Sequence, residues 1–170
     1  MDHTTLRVGH GFDRHRLSEL SPVGEGKPLL VGGVGMDSDL GPVAYSDGDC
    51  LLHAITDALL GGAGLEDIGQ LFPNTDERWR DADSAELLSQ ACGHVRDAGW
   101  GVVNVDCTLV LDAPKIGERK ETIVRSIASI LGIPEECVNV KGKTHERDPD
   151  DTSQRIIEAH VVALLARGSG

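Results

Sequence analysis

Two imidazoles and a carboxylate stand at positions that could share one ion: Asp13 and His15 in Asp13-Arg14-His15, and His53 further along the chain. In extended chain, residues i and i+2 point to the same side, so Asp13 and His15 can reach a common point. The apolar spacing after Asp49 puts His53 in the first turns of a helix. Three N/O ligands with a fourth position open are the pattern of a catalytic zinc site. By spacing alone, the same residues also read as ordinary polar side chains near a loop.

Four further groups could do chemistry, each with a plainer reading beside it. Ser46-Asp47-Gly48-Asp49 runs into the His53 helix. Such a turn caps a helix, and it also presents N–H groups able to hold phosphate oxygens. Asp57 follows His53 by one helical turn, as a partner orienting that ring or as a solvated position. Asp67-Ile68-Gly69 and the stretch Phe72 to Asp76 form a polar loop, either solvated or able to take hydrogen bonds from a polyol. Ala113-Pro114-Lys115 reads as a helix start, since proline is preorganised there. A lysine in the first turn opposes the macrodipole, which an anion would offset; a surface lysine is the alternative. In Lys141-Gly142-Lys143-Thr144-His145-Glu146, Glu146 could carry a divalent ion and Thr144 could bond a phosphate; otherwise this is a charged loop.

The elements that must position these groups follow from pattern. Leu6 to Phe12 alternates like a strand, is broken by two glycines, and is expected to end in a loop carrying Asp13 and His15. Residues 17–27 read as a loop, Leu29 to Val31 as a short strand, and Asp37 to Asp49 as irregular. A helix is predicted from an Asp49 cap over Leu51 to Leu60, ended by Gly61-Gly62. Residues 65–83 look irregular, and a second helix starts at Asp83 or Ser84 and stops at Gly99. Val102 to Leu111 is a strand, Lys115 to Leu131 a helix, Val138 to Lys141 a strand, residues 145–153 polar, and Ile156 to Ala166 a final helix. Strands alternating with helices predict α/β (or α+β) structure, a mixed β-sheet with helices on one face, as one domain over 1–170.

Composition sets the exclusions. The chain has 28 Asp+Glu against 16 Lys+Arg, a net charge of -12, and only 3% aromatic residues. That argues against nucleic acid, which calls for a basic stripe and stacking rings. No apolar run is long enough for a membrane span, and no secretory signal is visible, so a cytoplasmic protein is expected. Cys50, Cys92, Cys107 and Cys137 form no CxxC and are expected to be reduced, mostly buried thiols.

Taken in order, several segments resemble the 2-C-methyl-D-erythritol 2,4-cyclodiphosphate synthase family: Arg7 to His15, Ser46 to Gly61, Asp67 to Asp76, Asp81 to Ser84, Asn104 to Thr108, Ala113 to Lys115 and Val138 to Lys141. The resemblance spans Arg7 to Leu165. It implies Zn²⁺ on Asp13, His15 and His53, and a Mg²⁺ or Mn²⁺ on Glu146 bridging the diphosphate. It implies that Asp67 and Gly69 hold substrate hydroxyls and that Tyr45 and Ser46 line the same pocket. Ala113, Lys115, Lys143 and Thr144 would surround the cytidine diphosphate, with Lys115, Thr144 and Glu146 as the catalytic set. It further implies a homotrimer with active sites between subunits. The reaction would turn 4-diphosphocytidyl-2-C-methyl-D-erythritol 2-phosphate into the cyclic diphosphate and CMP.

The chain departs from the family pattern in places. Tyr45 stands where many members have His, Asn74 where Asp is usual, and Lys143-Thr144-His145 where three threonines are usual. Asp150 to Ile156 replaces a segment that lines the trimer's central channel, where the family arginine falls on Ser153 and Arg155 lies two residues on. A catalytically silent trimeric paralogue binding a cytidine nucleotide or isoprenoid phosphate, and a zinc-dependent phosphohydrolase, are the alternative readings.

Overall fold

The computed structural model describes residues 5–146 and 155–167. Strand β1 (Leu6–Glu19) opens the chain. It does not stop at its glycines, so Asp13 and His15 lie in the strand and not in a loop. Gly9, Gly11, Asp13, His15 and Leu17 share the face turned to the helices; Val8, His10, Phe12 and Arg14 face away. The two glycines serve close approach. A Cβ added at Gly9 would sit 1.8 Å from the Ala58 carbonyl oxygen, and one at Gly11 1.8 Å from that of Ala54. Helix α1 (Cys50–Ala63) therefore rests on bare β1 backbone.

Asp49 caps α1 as expected, its carboxylate accepting from Leu52 N–H at 3.0 Å. It also accepts from Gly32 and Gly33 N–H at 3.1 and 2.7 Å. Those glycines, both at positive φ, turn the hairpin of β2 (Leu30–Val31) and β3 (Val34–Gly35). The helix runs past Gly61-Gly62 and ends at Gly64 in the left-handed region. Gly62 is buried against Gly9, and its missing side chain is again clearance rather than a stop signal.

β1 runs past Leu17 to pair with β4 (Leu40–Pro42), inside stretches expected to be irregular. Two short pieces, α2 (Ile68–Leu71) and a 3₁₀ turn Glu77–Trp79, interrupt the 65–83 loop. Helix α3 (Ser84–Asp97) starts from an Asp83 cap. Strand β5 (Trp100–Val110) buries Val105, Cys107 and Leu109 toward the helices.

Regular helix α4 begins at Lys120, not Lys115, and runs to Leu131 behind a 3₁₀ turn Gly117–Arg119. Gly117 is a poor helix former, and buried Ile116 packs against Gly142 and pins the chain before it. Lys115 thus lies in the bend ahead of the turn and opposes no helix dipole. Strand β6 (Val138–Lys143) pairs parallel to β5, with α4 as the crossover.

The largest correction concerns Ile156 to Ala166, expected to be a helix. It is strand β7 (Ile156–Arg167), antiparallel to both β1 and β5. Ile157, Ala159, Val161, Ala163 and Leu165 are all buried at period two. The alanines and leucines favour helix locally, but a central position between two strands decides the outcome.

The sheet order is β4-β1-β7-β5-β6, five strands of mixed direction, as expected. α1 lies over β1 and β7, α3 packs on α1 and β5, and α4 covers β6. One aliphatic core results, built around Leu51, Ile55, Leu59, Leu88, Ile123 and Leu165. The opposite sheet face is exposed at Leu6, Phe12 and Val162, and Val8 there is 69% exposed. No helix among the described residues is long and apolar enough to cross a membrane.

Candidate active site

Because α1 presses onto β1 at the glycines, His53 on the helix meets Asp13 and His15 on the strand. His15 Nε2 lies 2.9 Å and His53 Nδ1 3.1 Å from Asp13 Oδ2. The two ring nitrogens are 3.3 Å apart. Ligands about 2.0–2.1 Å from a tetrahedral ion sit about 3.4 Å from one another, so these three atoms have nearly the spacing that Zn²⁺ requires. Two imidazoles and a carboxylate are also the donors such an ion takes. Among the described residues this is the one group of three or more His, Cys, Asp or Glu able to hold a metal.

The electrostatics agree. Burial alone would raise the Asp13 carboxyl, but hydrogen bonds and charge from His15 and His53 hold it well below the usual carboxylate range. Burial works against an imidazolium at His53, yet Asp13, Asp49 and Asp47 together push its pKa up. A site that favours a proton there favours a cation.

His53 is held from behind. Its Nε2 lies 2.8 Å from Ser84 Oγ and 3.1 Å from Ser46 Oγ. The Ser84 hydroxyl donates to Asp47 Oδ1, and Ser84 N–H donates to Asp47 Oδ2 at 2.9 Å. With its own proton given to Asp47, Ser84 Oγ is left as an acceptor for His53 Nε2–H. In the neutral ring that keeps the proton on Nε2 and leaves the Nδ1 lone pair for an ion; without an ion, a second proton on Nδ1 points at Asp13. Residue type and spacing do not give Ser84 and Asp47 this role, and Asp57, one turn after His53, does not fill it. Asp57 accepts from Ile68 N–H at 2.8 Å and anchors α2. The only signal was that Ser84 begins a helix at the end of Asp81-Ala82-Asp83-Ser84.

Above the centre is a cleft of about 380 Å³ lined by Asp13, His15, His53, Tyr45, Ser46 and Gly69, with Phe72 and Trp79 as apolar wall. Tyr45 presents its ring, while its hydroxyl donates to the Asp76 carbonyl at 3.2 Å. Asp67 stands beside the cleft as the cap of α2, accepting from Gln70 N–H and Nε2, both at 2.9 Å.

A second cleft, about 430 Å³, opens at the ends of β5 and β6 and shares no lining residue with the first. Its walls include Leu109, Ile116, Lys115, Lys143, Thr144 and Glu146. Ala113 lies in the bend just before Lys115 and does not line it. Thr144 Oγ1 donates to Glu146 Oε1 at 2.9 Å. Glu146 is a lone carboxylate here; it suits an ion that keeps its waters and takes other ligands from substrate phosphates, as Mg²⁺ does. Lys141 is held by Asp106 at 2.6 Å.

None of the four thiols lines either cleft. Cys50, Cys92 and Cys107 are buried, and burial pushes Cys92 up to about 11 and Cys107 up to about 12. Ser153 and most of the Asp150 to Ile156 segment lie outside the described residues; the Arg155 carbonyl accepts from Leu17 N–H at 2.7 Å.

Fold and site together define a class: a mixed-sheet α/β domain with an Asp-His-His centre able to hold a divalent metal and a separate lysine-rimmed cleft. The chain belongs to the YgbB family, whose model matches residues 6–166. It is 47% identical over 95% of its length to a rice (Oryza sativa subsp. japonica) protein named 2-C-methyl-D-erythritol 2,4-cyclodiphosphate synthase, chloroplastic, of which 70% is covered. It is 49% identical to the synthase of that name from Bordetella avium, over 95% of this chain and 96% of the other. A solved structure of a 2C-methyl-D-erythritol-2,4-cyclodiphosphate synthase in its CDP-bound form superposes with a TM-score of 0.83 at 38% identity, covering 94% of this chain and 99% of that one.

Proposed function

We propose that this chain carries out the reaction its relatives are named for, closing 4-diphosphocytidyl-2-C-methyl-D-erythritol 2-phosphate to 2-C-methyl-D-erythritol 2,4-cyclodiphosphate with release of CMP. The observation that carries this reading is the meeting of Asp13, His15 and His53 at ion-ligand spacing beside a cleft, in a chain that matches the family over residues 6–166. An oxygen of the 2-phosphate bonds to the β-phosphorus, the bond to the α-phosphate breaks, and CMP departs with the electron pair. The nucleophile is the substrate's own, so the protein's task is positioning and charge neutralisation.

Repulsion between two unit charges about 4 Å apart is about 4 kcal/mol at an effective dielectric near 20. A chain of net charge -12 cannot offset this with its overall field, so local cations must. Bound metals supply Lewis-acid stabilisation of the charge developing on phosphorus. Asp13, His15 and His53 would hold Zn²⁺, and Glu146 the Mg²⁺ or Mn²⁺. Lys115 and Lys143 add ammonium groups at the second cleft, where Thr144 lines the nucleotide's surroundings and Ala113 flanks them from the bend outside. Asp67 and Gly69 take hydroxyls of the methylerythritol moiety, and Tyr45 and Ser46 shape its pocket.

The two clefts share no lining residue, which supports a composite site made by neighbouring subunits of a homotrimer. The open apolar face carrying Val8, Phe12 and Val162 is the surface such an assembly would cover. Incubation with the authentic substrate, Zn²⁺ and Mg²⁺, followed by phosphorus NMR, tests the reading. A cyclic diphosphate and CMP are expected. Linear phosphates would establish a hydrolase instead, and CDP binding without turnover a silent paralogue.

A further inference from the structure

Past the last rungs of the β5–β6 ladder, one carboxylate bridges the two loops that wall the second cleft. Asp112 Oδ1 accepts the His145 backbone N–H at 2.8 Å, and Asp112 Oδ2 faces His145 Nδ1 at 3.2 Å. Asp112 follows β5 and leads into the bend with Lys115; His145 follows β6. Thr144 and Glu146, on either side of His145, both line the cleft, whereas the His145 ring is packed away behind them, 13% exposed. Its far nitrogen, Nε2, is buried without a hydrogen bond and lies 3.6 Å from Glu158 Oε2 on β7. Glu158 in turn faces Arg14 Nε on β1 at 3.5 Å. The backbone that Asp112 holds runs on into Glu146 at φ +52, a left-handed conformation uncommon for a residue other than glycine.

We propose that Asp112 and His145 form a positioning clamp that fixes Thr144 and Glu146 against the Lys115 wall and so sets the geometry in which the cytidine diphosphate is bound. This inference rests on the function proposed above. His145 touches no substrate; it acts through the loop. Misplacing such groups by about 1 Å costs up to about a hundredfold in rate, so loss of the clamp should be visible in binding.

The test is CDP titration by calorimetry, with Mg²⁺ present, on the parent, His145→Ala, His145→Asn and Asp112→Ala, with zinc content and KM and kcat for the cytidylated substrate measured on each. The expected result is a CDP dissociation constant and KM about tenfold higher in His145→Ala and Asp112→Ala, with zinc content unchanged. His145→Asn keeps a donor near the Nδ1 position and should recover most of the affinity. Parent-like CDP binding in the Ala variants, or equal losses in Ala and Asn, overturns the clamp while leaving the function intact. If His145→Ala does not fold, the parent, His145→Asn and Asp112→Ala decide the matter. A parent that binds no CDP overturns the proposed function and the clamp together.

Discussion

In the Asp13–His15–His53 centre every ligand hangs from regular structure, two on β1 and one on α1, and His53 is held from behind by Ser84 and Asp47. In the cleft at the ends of β5 and β6, the charged groups sit on loops, at the end of β6 and at the start of α4, and a single carboxylate, Asp112, links the walls. The first site is finished within one chain, because an ion demands ligand atoms placed to tenths of an ångström. The second is set by loops and long side chains, and a lysine's flexible stem suits an anion that needs charge more than fixed geometry. Rigidity is thus concentrated where the chemistry is least forgiving.

Perturbations should separate the two regions. The largest effect is expected from His53→Ala: zinc lost by elemental analysis and turnover abolished, with the fold kept, since His53 projects from α1 at the cleft rather than from its buried face. Zinc content equal to the parent's would end the metal assignment. Ser84→Ala should weaken Zn²⁺ binding about 10- to 100-fold in chelator competition, and Co²⁺ spectra should change with it, while CDP binding stays put. Gly11→Ala should destabilise the protein by about 1–3 kcal/mol or more in denaturant titration, because its Cβ meets backbone at 1.8 Å; an unchanged midpoint would refute the close-approach argument. Lys115→Ala should raise the CDP dissociation constant about fivefold, the worth of one exposed charge contact, and leave zinc alone.

Acid should also act on one region first. His53 binds its proton above the ordinary value of about 6.5, and metal binding must displace that proton. The apparent affinity for zinc should therefore begin to fall as pH drops through that raised value, before an ordinary imidazole would protonate. Without metal the sign for His53 reverses: its contribution to stability is complete below about 6.5 and is lost as pH rises through the raised pKa. Asp13, held low, contributes fully above about pH 4 and loses that contribution as pH falls. Melting curves of the zinc-free protein across pH check both signs.

Much of this was legible in residue types. Asp13, His15 and His53 stood out as ligands, and Asp49 as a cap, because those preferences are local. What escaped was tertiary. Gly9 and Gly11 look like breaks until a helix is laid across them. β7 carries helix-favouring alanines and leucines, yet its alternation at Ile157, Ala159, Val161, Ala163 and Leu165 has meaning only between two partner strands. Ser84 looks like any residue opening a helix, since nothing along the chain shows which ring its oxygen meets.

The bare backbone under α1 has one more outcome. With no side chains between Gly9, Gly11 and the helix, nothing can rotate or repack to let the helix slide, so the ligands keep their register whether or not an ion is present. Loading then needs a proton to leave but no rearrangement of the backbone, and stripping the ion should leave the empty protein able to take it back without refolding.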